Sequence, residues 1–97
     1  MSNGSYRKGA NRERQFIKRL YSAGALWAAR TAGSHSIIDV VAILEDGSCS
    51  LYQIKSGNAK MTPLERDIFI AFARKVSDHT KVYSVTWKNR QEPVIQR

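Results

Sequence analysis

Residues 36–57 read SIIDVVAILEDGSCSLYQIKSG, and their pattern decides the fold. Two largely apolar stretches, 37–44 and 49–55, flank the turn signal Glu45-Asp46-Gly47-Ser48. An Asp-Gly pair between two such runs predicts a β-hairpin. The first run is rich in β-branched residues and reads as a central strand buried on both faces. Yet Asp39 interrupts that run, and Gln53 and Lys55 interrupt its partner. Gln53 and Lys55 are two apart, so they share a face of their strand, roughly 7 Å from each other. If the strands pair in simple register about the turn, Asp39 falls opposite or near Gln53 to Lys55.

The flanking segments complete a mixed α/β pattern. Phe16, Ile17 and Leu20 form an apolar stripe that predicts a helix over 9–22, with Gly24 as its stop. Residues 1–8 are polar and basic and read as a flexible arm. Residues 25–30 are a short strand candidate. Thr62, Pro63 and Glu65 mark the start of a second helix through a capping box and a first-turn proline. Leu64, Ile68, Phe69, Phe72, Ala73 and Val76 give it a broad apolar face. Residues 81–87 alternate as a strand, and 93–96 suit a short edge strand. No linker or repeat divides the chain, so residues 1–97 are expected to form one domain of order α-β-β-β-α-β, a mixed central sheet flanked by helices.

Composition speaks to partners. The 97 residues include 16 Lys and Arg against 8 Asp and Glu, a net charge of +8. Nucleic acid is the expected partner, because Lys and Arg that neutralise phosphates release counterions. No apolar run approaches the ~18 residues of a membrane span. The N-terminus lacks an apolar leader segment, so an intracellular site is expected: cytoplasm or nucleoid, or host cytoplasm for a viral chain. The single Cys49 excludes an intrachain disulfide and a multi-cysteine zinc site.

Glu13 lies three, four and seven residues before Phe16, Ile17 and Leu20, which places its carboxylate on the sheet-facing side of the first helix. Four polar groups from three elements are thus expected at one sheet edge. Buried charges cost several kcal/mol unless paired or metal-bound. The plain alternative is an ion pair of Asp39 with Lys55. The chemistry the set suggests is metal-assisted phosphodiester hydrolysis, since hard oxygen donors suit Mg²⁺ or Mn²⁺. Asp39, Glu13, the Gln53 side-chain oxygen and the Ile54 backbone carbonyl are the expected ligands. Lys55 is expected to orient water or stabilise charge on the phosphate. No small-molecule cofactor is expected.

Asp39, thirteen residues, then Gln53-Ile54-Lys55 resembles the core of the PD-(D/E)xK nuclease superfamily, as a QxK variant. Residues 7–24, RKGANRERQFIKRLYSAG, resemble the first helix of archaeal-type Holliday junction resolvases, and residues 30–39, RTAGSHSIID, resemble the loop leading to their metal-binding Asp. The resemblance implies a restriction-endonuclease-like fold, a homodimer, Mg²⁺ dependence, and paired nicks in a four-way DNA junction. It carries active-site roles to Glu13, Asp39 and Lys55, and places Arg30 with Ser34 or Ser36 near the scissile phosphate. Two positions depart from the family pattern. Ile38 stands where a proline is usual, and Gln53 where a second acid is usual, which keeps an oxygen but removes a charge.

Further DNA contacts are expected from Arg7, Lys8, Arg12, Arg14 and Lys18 near Glu13, from His35 in the loop, and from Lys60 beyond the second strand of the hairpin. Such contacts fix position without reading bases. Two other readings stand beside this one: the same fold acting on other DNA structures, and a non-catalytic basic module in which Gln53 marks a lost metal site.

Overall fold

A computed structural model describes residues 3–31, 37–57, 59–76, 80–88 and 92–96, with side chains from residue 11 onward. The elements are α1 (Asn3–Ser22), β1 (Trp27–Arg30), β2 (Val40–Ile43), β3 (Cys49–Ser56), α2 (Pro63–Lys75), β4 (Thr80–Trp87) and β5 (Val94–Gln96). The five strands form one sheet in the order β1-β2-β3-β4-β5. Only β3 and β4 are parallel, with α2 as their crossover; every other neighbouring pair is antiparallel.

Local chemistry explains the boundaries. Helix α1 ends in a Schellman motif: Ala25 N–H donates to the Leu20 carbonyl and Gly24 N–H to that of Tyr21. Gly24 sits there at φ 105°, which favours glycine. The hairpin closes with Leu44 N–H on the Ser48 carbonyl, leaving a three-residue loop whose last member, Gly47, has φ 85°. The Asp46 carboxylate braces it by accepting from Ser48 N–H and Oγ–H. At α2, both halves of the capping box form: Glu65 N–H donates to Thr62 Oγ1, and Thr62 N–H to Glu65 Oε1.

Strand alternation sorts the core into two layers. Ala28, Val40, Ala42, Tyr52, Val85 and Trp87 face α1, whose Phe16 is 1% exposed and packs edge-on against Tyr52 and Trp87. Leu51 and Val82 point to the opposite face, where Phe69 and Phe72 of α2 meet them together with Ile38.

The structure corrects four readings. Residues 3–8 continue α1, so the segment expected as an arm is helical; nothing in its sequence stops a helix before Gly24. β2 lies inside the sheet, between β1 and β3, but begins only at Val40, because the Asp39 side chain takes the next donor of the ladder. Val41 and Ile43 are half-buried, so β2 is closed on one face and partly open on the other. On α2 only Phe69 is buried, while Leu64 and Ile68 are 69% and 50% exposed. Its apolar face is broader than its footprint on the sheet.

Candidate active site

The β2–β3 register ends with Val40 on Tyr52, so Asp39 enters the sheet beside the stretch of β3 that carries Gln53 and Lys55. Here the ladder changes partners. Asp39 N–H donates to the Tyr52 carbonyl at 2.8 Å, and the Thr31 N–H donates to the Asp39 carbonyl at 3.0 Å. The next donor on β3, Ile54 N–H, bonds the Asp39 side chain instead, at 2.7 Å to Oδ2. A carboxylate thereby replaces a backbone acceptor at the end of β2 and is held rigidly by the sheet. Asp39 is half-buried, and its acidity is shifted accordingly. Burial pushes its pKa up to about 6; the Ile54 N–H opposes the shift, the Glu13 charge adds to it, and the Lys55 ammonium opposes it. Asp39 thus feels the charges of Glu13 on α1 and of Lys55 on β3.

Glu13 does not face open water. Its Oε1 accepts from Arg30 Nε at 2.7 Å, and its side chain is 20% exposed. Arg30, at the end of β1, thus holds the carboxylate that α1 delivers. Lys55 pairs with Glu65 rather than with Asp39: Nζ stands 3.5 Å from Oε2. Glu65 uses its other oxygen in the α2 cap, so the lysine is tied to the start of that helix. The Glu65 carboxyl lies below its usual range, through the Thr62 N–H first and Lys55 second. Gln53 is 6% exposed and its Oε1 has no hydrogen-bond partner among the described residues. A buried acceptor left dry costs free energy, and a hard cation is one partner that would satisfy it. Among the described residues no three carboxylate, imidazole or thiol groups cluster. The oxygen donors gathered here are two carboxylates and one amide, a set that fits Mg²⁺ or Mn²⁺ better than a softer metal.

The basic residues divide. Arg12 and Arg19 lie over the Trp87 ring, with guanidinium carbons 4.8 and 5.7 Å from its centroid. Arg12 also reaches Gln15, Arg14 reaches Asn11, and Arg19 pairs with Glu92. Lys18 and Lys60 are exposed. Arg7 and Lys8 lie on α1 with side chains beyond those described, and Ser34, His35 and Ser36 lie outside the described residues. The sequence reading missed two contacts, Glu65 on Lys55 and Arg30 on Glu13. Glu65 was legible only as a cap residue, because one oxygen explains its spacing and the other acts across the fold. Arg66 and Lys88, which join Lys60 beside Gln53 and Lys55, carried no motif at all.

No protein-family model matches the sequence, and no curated protein matches it. Among solved structures, the chain is similar to Hjc of Archaeoglobus fulgidus, a Holliday junction resolvase from an archaeal hyperthermophile. The TM-score is 0.68 at 22% identity, over 89% of this chain and 72% of that one. The mixed sheet and its flanking helices are therefore a resolvase-like fold. No helix among the described residues is long and apolar enough to cross a membrane.

Proposed function

We propose that the chain is a Mg²⁺-dependent, structure-selective endonuclease that resolves four-way DNA junctions by paired phosphodiester hydrolysis, acting as an intracellular homodimer. One observation carries the reading. Asp39, fixed on Ile54 N–H between Gln53 and Lys55, feels the charges of Glu13 and Lys55, and the buried Gln53 oxygen has no hydrogen-bond partner among the described residues. The resolvase-like fold supports it.

Asp39, Glu13, the Gln53 oxygen and the Ile54 carbonyl are the groups that would hold Mg²⁺, with Mn²⁺ as a substitute. A cation held by these groups would supply acidification of a water and polarisation of the phosphate. Hydrolysis joins a water oxygen to phosphorus and breaks the bridging P–O bond, and the leaving oxygen takes a proton from solvent. Asp39 serves as a carboxylate, the form that a cation bound beside it would favour. Arg30 keeps Glu13 aimed at the site. Lys55 supplies positive charge for the phosphate oxygens as negative charge grows on them. Ser34 or Ser36, Arg30 and His35 complete the surroundings of the scissile phosphate, and Arg7, Lys8, Arg12, Arg14, Lys18 and Lys60 contact the backbone. Two strands must be cut with one site per chain, which a two-fold dimer supplies. The exposed apolar residues of α2 (Leu64, Ile68, Ile70) and of β5 (Val94, Ile95) offer the surfaces for that contact.

The test incubates the protein with a labelled four-way junction and a matched linear duplex, in Mg²⁺ and in chelator. Symmetric nicks on the junction alone are expected, with none in chelator. Cutting of both substrates would assign a nuclease of broader choice. Binding without cutting, in Mg²⁺ and in Mn²⁺, would assign the non-catalytic module. Asp39→Asn should stop cutting and leave junction binding within about threefold, since a phosphate-anchored complex does not depend on it.

A further inference from the structure

On the α2 side of the sheet, the carboxyl ends of β3 and β4 open into a cleft of about 630 Å³. Gln53, Lys55, Lys60, Arg66 and Lys88 line it, together with uncharged residues of β4 and of the segment after β3. The Lys60, Arg66 and Lys88 side chains are exposed and have no ion pair among the described residues. Of the described acids in ion pairs, Glu65 is held by Lys55 at the cleft wall, Glu13 by Arg30 and Glu92 by Arg19. Three positive charges with no ion pair among the described residues thus share a concave space with Gln53. They come from distant points of the chain, two from the segment after β3 and one from the end of β4. The parallel pairing of those strands brings them together.

A concave wall of one sign focuses potential and draws in the opposite charge. Lys and Arg that hold phosphate supply affinity without reading sequence. Gln53, a candidate metal ligand, lines this cleft, while Arg14 and Lys18 lie on α1, across the sheet. We propose that the cleft holds consecutive phosphates of a nucleic-acid strand, through Lys60, Arg66 and Lys88. It is a second backbone track, separate from the α1 surface, with the hydrolytic site between the two. A substrate whose backbone changes direction at the site can occupy both tracks, whereas a straight duplex is confined to one. Only the direction of the track relative to the scissile phosphate rests on the nuclease reading; the binding does not.

The experiment uses the full chain in chelator and follows anisotropy of a labelled four-way junction through a salt series. Lys60→Ala with Lys88→Ala is compared with Arg74→Ala plus Lys75→Ala, which removes equal charge from the far end of α2. Exposed substitutions of this kind leave folding nearly unchanged, and thermal melts confirm it. The cleft pair is expected to weaken junction binding about tenfold and to flatten the salt slope by about two. The control pair should shift it less than about threefold. Equal shifts from both pairs, or none from the cleft pair, would overturn the proposal. Cutting by wild type in Mg²⁺ reports separately on the nuclease reading. A chain that binds through the cleft without cutting keeps this inference and loses that one. A chain that cuts while the cleft pair binds normally does the reverse.

Discussion

Asp39→Asn should make the metal-free protein more stable at neutral pH. The native carboxyl has its pKa raised from 3.8 to about 6, chiefly by burial. At about 1.36 kcal/mol per unit, a shift of this size corresponds to roughly 3 kcal/mol of strain in the ionised form. Asp39 is partly open to water, so solvent screening reduces this to on the order of 1–2 kcal/mol. Asparagine keeps an oxygen for Ile54 N–H and carries no charge. The expected gain in melting temperature is therefore roughly 5–10 °C for a domain of this size. Its pH dependence follows from linkage. The native state holds the proton more tightly than the unfolded chain does. Stability from the neutral acid is complete below about pH 4 and is lost as pH rises through about 6. The difference between variant and wild type should thus be near zero at pH 3.5, grow between 4 and 6, and stay level above. Thermal unfolding by circular dichroism in chelator measures it, and taking the difference cancels the general acid destabilisation of a basic chain. Adding Mg²⁺ should raise the wild type alone, as expected for binding to the native state. A variant less stable than wild type at pH 7.5, or a gain that ignores pH, would refute the account of Asp39 as a carboxylate held at a desolvation cost.

Two more outcomes follow from the site and its supports. Gln53→Glu should tighten Mn²⁺ binding by at least tenfold in a calorimetric titration and lower the melting temperature in chelator, since it adds a buried charge beside Asp39. Thr62→Ala removes the α2 cap and should cost about 1 kcal/mol, seen as a melting temperature lower by roughly 4–8 °C.

Much of this arrangement was legible because several signals are local. Thr62, Pro63 and Glu65 announce α2 within four residues, and the Asp46-Gly47 turn sets a register that carries Asp39 to Gln53. The helical offset of Glu13 from Phe16 states which way its carboxylate faces. What escaped depends on long-range geometry. The contact of Lys55 with Glu65 needs α2 to fold back over β3, and no spacing reveals it. Leu64 and Ile68 belong to the apolar face of α2 yet stay exposed, because a helical stripe says which residues align, not how much of the stripe a small sheet can cover. The length of β2 was overread because Ile37, Ile38 and Asp39 look like strand residues, while the side chain of Asp39 takes the donor that would have continued the ladder.

Trp87 gives the protein its own optical reporter. Its indole is buried beneath α1 with two guanidinium groups above it, whereas Trp27 is half in water. Replacing Trp27 with phenylalanine would leave emission from the one tryptophan in contact with Arg12 and Arg19. When a polyanion draws either arginine off that ring, quantum yield changes without any dye attached, and the arrival of nucleic acid at α1 becomes visible in a stopped-flow cell.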